Sequence, residues 1–112
     1  GQVLNWPSIY RQHQYYFAAN AVDELLEQTM YRYKNGSVYF TWNGTVTKMY
    51  NFILRLNSKI LNGGERTMKR SLKLLDQMEY WRKRSKGAIA HPDAFTFGLI
   101  LKTISNSGGV HS

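Results

Sequence analysis

The residue types that most often carry chemistry are sparse in this chain, and their spacing is uninformative. His13, His91 and His111 share no ligand-like spacing with carboxylates, and there is no Cys. A metal centre, a disulfide and a thiol nucleophile are therefore not expected. No Ser sits in a nucleophile motif with a paired His and acid. Gly63-Gly64 and Gly108-Gly109 follow apolar segments instead of preceding them, so they read as helix stops and not as phosphate-cradling loops. Asn35-Gly-Ser and Asn43-Gly-Thr match the glycosylation acceptor pattern, but turn formation accounts for both. No enzyme, no cofactor and no small-molecule substrate are expected.

Charge is the stronger signal. The chain has 112 residues, 15 Lys+Arg against 7 Asp+Glu, and a net charge of +8. The excess is concentrated between Arg66 and Lys86, where eight cations face only Asp76 and Glu79, a net of +6. Such a block favours phosphate-bearing partners or anionic surfaces, and it also fits a solvated helix face. No run of about 18 apolar residues exists, so no membrane span is expected. The opening GQVLNWPS lacks the basic start and apolar stretch of a signal peptide, and Gly1 suggests a start inside a longer protein.

Four segments have the apolar spacing of helices. Ala18 to Tyr33 carries Val22, Leu25, Leu26 and Met30, and ends at Lys34-Asn35-Gly36. Val46 to Leu61 is apolar over more than half its circumference, so it should be buried on two sides. Met68 to about Lys83 carries Leu72, Leu75 and Met78 on one stripe, with Leu74 and Trp81 beside it, and ends at Lys86-Gly87. A last helix runs from Asp93 or Ala94 to Ser105, with Asp93 as the expected N-cap. Ser8 to Tyr16 is a weaker helical candidate. Residues 35–44 are β-prone between two Asn-Gly turns and suggest a short extended piece.

These helices repeat. Leu25-Leu26 and Leu74-Leu75 lie 49 residues apart in similar surroundings, and Met49-Tyr50-Asn51-Phe52-Ile53 aligns with Thr96-Phe97-Gly98-Leu99-Ile100 at an offset of 47. A hairpin that cannot hide its apolar face alone must stack on a neighbour. The expected fold is all-α, built of stacked helical hairpins with a period near 48. The approximate repeats are 1–45 (partial), 46–93 (complete) and 94–112 (first helix only).

The stretch from Pro92-Asp93 through Thr96-Phe97-Gly98-Leu99-Ile100 to Gly108 resembles the start of a pentatricopeptide repeat. Ser71-Leu72-Lys73-Leu74-Leu75-Asp76-Gln77-Met78 resembles that family's second helix, and Tyr50-Asn51 its Tyr-Asn pair. The resemblance covers about residues 20 to 109. The period is longer than the family's repeat of about 35 residues, as in expanded-loop algal and protist members. Thr45-Val46 stands where Pro-Asp belongs, and Gly98 replaces a polar residue.

The resemblance implies an α-solenoid, a fragment of a right-handed superhelix, whose first helices line a groove for single-stranded RNA. It implies that Asn51 and Asp93 read one base and that Lys48 and Phe95 clamp bases from the side. Asn can pair with a base edge and Phe can stack on a base. Asp93 serves equally as a cap, Phe95 as core and Asn51 as a solvated residue. The resemblance further implies a mitochondrial or chloroplast location and a role in transcript processing, stability or translation. Two alternatives remain open: a tetratricopeptide-like scaffold that binds protein, and an assembly subunit of a ribonucleoprotein.

Overall fold

The computed structural model describes residues 6–36, 44–61 and 63–106. Among them all regular structure is helical: α1 (Trp6–Lys34), α2 (Gly44–Ser58), α3 (Gly64–Arg84) and α4 (Ala94–Asn106). No helix of the described residues is long and apolar enough to cross a membrane. The extended piece expected near residues 35–44 falls largely outside the described residues, as do Gly108-Gly109 and His111.

Helix α1 is longer than its apolar stripe suggests. Residues 8–34 contain no Gly or Pro, and Pro7 lies in the first turn, where its missing N–H costs nothing. The weaker helical candidate at Ser8 to Tyr16 is therefore the first part of α1 and not a separate partner helix. A second difference concerns Gly63-Gly64. Helix α2 already ends at Ser58, and Gly63 is the N-cap of α3, so the pair starts a helix instead of stopping one.

The helices run in two parallel pairs, each antiparallel to the other. Thr47 Oγ1 donates to the His91 carbonyl at 2.8 Å near the start of α2, and Asn106 Nδ2 donates to the Ser58 carbonyl at 2.6 Å at its end, so α2 and α4 run the same way. Arg66 lies over the Tyr16 ring, and Arg70 pairs with Asp23 one to two turns further along both chains, so α1 and α3 also run together. Gln12 reaches from α1 to the far end of α2. It donates to the Lys59 carbonyl at 3.0 Å and accepts the Leu61 N–H at 2.6 Å.

Helix α2 is the hub, packed against α1, α3 and α4, whereas α1 and α3 meet only through side chains. Val46, Tyr50, Ile53 and Leu54 of α2 are essentially inaccessible and join Leu26, Met30, Leu74, Met78 and Ile100 in one core. Trp81 packs edge-on against Tyr33 and Tyr80 at the edge of that core. Burial pushes the Tyr50 phenol well above its usual range, and a hydrogen bond with Trp81 opposes this only in part. Asn57 is fully buried between α2 and α3. Its Nδ2 reaches Ser71 Oγ at 3.3 Å, while its Oδ1 has no hydrogen-bond partner among the described residues.

Helix α3 closes with a Schellman turn. The Gly87 N–H bonds to the Arg82 carbonyl at 2.8 Å and the Lys86 N–H to the Lys83 carbonyl at 3.1 Å. The left-handed residue that this turn requires is Lys86, at φ 56°. A side chain there is strained against its own backbone. Lys86→Gly should therefore stabilise the fold by about 0.5–1 kcal/mol. Urea denaturation checks this, and a lower midpoint would contradict it.

Candidate nucleic-acid interface

The first turn of α4 is built by a reciprocal cap. Asp93 Oδ1 accepts the Thr96 N–H at 3.0 Å, and the Asp93 N–H bonds back to Thr96 Oγ1 at 3.0 Å. Asn51 joins this cap from α2. Its Nδ2 donates to Asp93 Oδ1 at 3.1 Å, and its Oδ1 accepts the Thr96 hydroxyl at 2.6 Å. The pair expected to read a base is thus within hydrogen-bond distance across two parallel helices. Asn51 is half-buried and Asp93 exposed. Burial would raise the Asp93 carboxyl, but the Thr96 N–H, the Asn51 amide, the Thr96 hydroxyl and the Phe95 N–H together hold it below its usual range.

Beyond this junction α2 turns one stripe to solvent. Lys48, Phe52 and Arg55 are exposed at spacings of four and three, opposite the stripe of Val46, Tyr50 and Asn57 that is buried. The offset of 47 carries that stripe onto Phe95, Leu99 and Lys102 of α4. Phe95 is 75% exposed and Phe52 51% exposed. Neither α2 nor α4 contains a carboxylate. The face shared by these parallel helices therefore carries Lys48, Arg55, Lys102 and two open aromatic rings, with Asp93 at its edge. Phe95 also borders a shallow depression with Ala94, Gly98 and Leu99.

All four residues singled out in the sequence lie on or beside this face. The structure brings Asn51 and Asp93 together. Lys48 and Phe95 sit on the exposed stripe. Phe52, Arg55, Lys102 and Thr96 were not singled out. Steps of four and seven residues from Lys48 and Phe95 would have found the first three. Thr96 emerges only when α2 and α4 are packed together.

The basic block on α3 lies elsewhere. Arg66, Lys69, Arg70 and Lys73 face α1 across a cleft of about 400 Å³, with Tyr16, Asp23 and Glu27 on the opposite wall. Arg66 and Arg70 lie 5.3 and 5.9 Å from the Tyr16 ring centre. Arg70 also pairs with Asp23 at 3.5 Å and Lys69 with Glu65 at 3.3 Å. Near the end of α3, Arg82 grips Glu79 at 2.8 Å, and this hydrogen bond is the main cause that lowers the Glu79 carboxyl and raises Arg82. Much of this charge is thus used in joining α3 to itself and to α1.

No family model, no curated protein and no solved structure matches this chain.

Asp93→Ala should destabilise the fold by about 1 kcal/mol at neutral pH, since it removes the α4 cap and the anchor for Asn51. Folding lowers the Asp93 pKa, so its contribution is complete above about pH 4 and fades as pH falls through the lower folded value. The stability gap between the parent and Asp93→Ala should shrink on acidification. A gap that is constant from neutral to acid pH would exclude an ionised cap.

Proposed function

We propose that the two hairpins are repeats of a right-handed solenoid of the pentatricopeptide type and that the α2–α4 face binds single-stranded RNA without catalysis. The observation that carries this reading is the make-up of that face: three cations, two exposed phenylalanine rings and no carboxylate on either helix. Lys48, Arg55 and Lys102 meet backbone phosphates. Phe52 and Phe95 give flat apolar surfaces on which unpaired bases stack. Asn51, held by Asp93 and Thr96, offers the unused donor and acceptor capacity of its amide to a base edge. A duplex would gain less, because its bases are already stacked on one another and their faces are hidden. In this proposal the chain works in an organelle on transcript processing, stability or translation.

A protein-binding scaffold would need apolar or oppositely charged complementarity in place of stacking and phosphate contacts, so salt and base dependence separate the two. The chain should bind single-stranded RNA pools with an affinity that falls steeply with salt. Arg55→Ala and Lys102→Ala should each reduce the salt slope by about 0.7. Phe95→Ala and Phe52→Ala should each weaken binding by about 1–3 kcal/mol at constant salt. Asn51→Ala should change base preference more than affinity. Fluorescence anisotropy with labelled homopolymers measures all of these, and absence of binding at low salt would remove the proposal.

A further inference from the structure

Four of the α3 cations share one side of that helix. Arg66, Lys69, Arg70 and Lys73 follow one another at steps of three, one and three, and all four line the cleft with α1. Like charges at spacings of three and four weaken a helix, so a partner of opposite charge is needed to offset them. The described residues do this only in part. Arg70 meets Asp23 at 3.5 Å, longer than the about 2.7–2.9 Å usual for such a pair. Lys69 meets Glu65, but both side chains are 71% exposed and the pair contributes little. Arg66 and Lys73 have no ion pair among the described residues.

A ring gathers the two arginines instead. Arg66 and Arg70 stand 5.3 and 5.9 Å from the centre of Tyr16. Such a contact positions a guanidinium through its charge and leaves its N–H donors for another partner. The cleft as a whole is short of negative charge. Its four cations face only Asp23 and Glu27, an excess of two positive charges. Its volume of about 400 Å³ lies within the range of small-ligand pockets. It also lies behind α2. Helix α3 packs on the α2 side that carries Val46 and Tyr50, opposite the open stripe of Lys48 and Arg55. An open stripe suits an extended strand, whereas a walled cleft suits a compact anion.

We propose that the α1–α3 cleft binds a small phosphate-bearing anion, held by Arg66, Arg70 and Lys73. A phosphate monoester carries close to two negative charges at neutral pH, which matches the excess in the cleft. The guanidinium forks pair with phosphate oxygens two at a time, and Lys73 adds a point charge. Glu27 on the facing wall repels the anion and limits its affinity. A bound phosphate also ties α3 to α1, two helices that otherwise meet only through side chains. The inference does not depend on RNA recognition.

Amide chemical shifts of the isotope-labelled whole chain test it. The probes are inorganic phosphate and glycerol phosphate, with sodium chloride at matched ionic strength as the control. Saturable shifts should cluster on the α1 and α3 residues that line the cleft. Arg66→Gln and Lys73→Gln should each weaken phosphate binding on the order of ten-fold. Both positions are exposed and Gln is a good helix former, so far-ultraviolet circular dichroism should be unchanged. Glu27→Gln should tighten binding about two- to five-fold. Tyr16→Leu should weaken it, whereas Tyr16→Phe, which keeps the ring, should not. Shifts that chloride reproduces, that do not saturate or that centre on α2 and α4 overturn the proposal. So do Arg66→Gln and Lys73→Gln variants that bind phosphate like the parent. Arg66→Gln should leave the salt slope of RNA binding unchanged. A slope lower by about 0.7 would put a strand phosphate in the cleft and overturn the small-ligand assignment.

Discussion

Helix α2 has to be hidden on three sides, and most of the architecture answers that need. Val46, Tyr50, Ile53 and Leu54 form one buried stripe, and buried Thr47 and Ser58 on one flank and half-buried Met49 and Leu56 on the other extend it further than a single partner helix can cover. Each large side chain gains about 1.5–3 kcal/mol when removed from water. The gain is complete only when α1, α3 and α4 all close on α2. Helices α1 and α3 then need approach each other only through side chains, which leaves the polar cleft between them.

Apolar contact is non-directional, so something else must choose the register of the parallel helices. Hydrogen bonds at both ends of α2 do this. Thr47 to the His91 carbonyl and Asn51 to the Asp93–Thr96 cap hold the start of α4 beside the start of α2, and Asn106 holds its end beside Ser58. Gln12 does the same for α1 at the turn after α2. A slide of one helical turn would keep much of the apolar burial and break these bonds. The polar junction that fixes the register is also the centre of the proposed RNA face. Its donors are therefore already oriented, and little ordering remains to be done on binding.

Charge is distributed by element. Helix α3 holds most of the excess cations, but Asp23, Glu65 and Glu79 take up three of them. Helices α2 and α4 have few charges, all of them positive, on a stripe open to solvent. For a phosphate partner, Arg55 and Lys102, on helices that carry no carboxylate of their own, are worth more than a dense block tied up in ion pairs. The total charge pointed to α3, whereas the distribution favours α2 and α4.

Short-range signals were legible in the residues themselves. Apolar spacing located all four helices, Lys86-Gly87 the end of α3 and Asp93 the cap of α4, because periodicity and caps depend on residues within one or two turns. The length of α1 was underestimated, since its first part has aromatic residues on several sides and no single stripe to follow. Which copy of a repeated stripe would be covered could not be read in this way: Leu25 and Leu74, or Leu54 and Leu101, have similar local sequence and opposite exposure. That depends on which helices stand next to each, and so does the bond between Asn51 and Asp93, 42 residues apart. The sequence by itself determined which segments are helical and which faces are apolar; only the packing of α1, α3 and α4 around α2 decided which of those faces water still reaches.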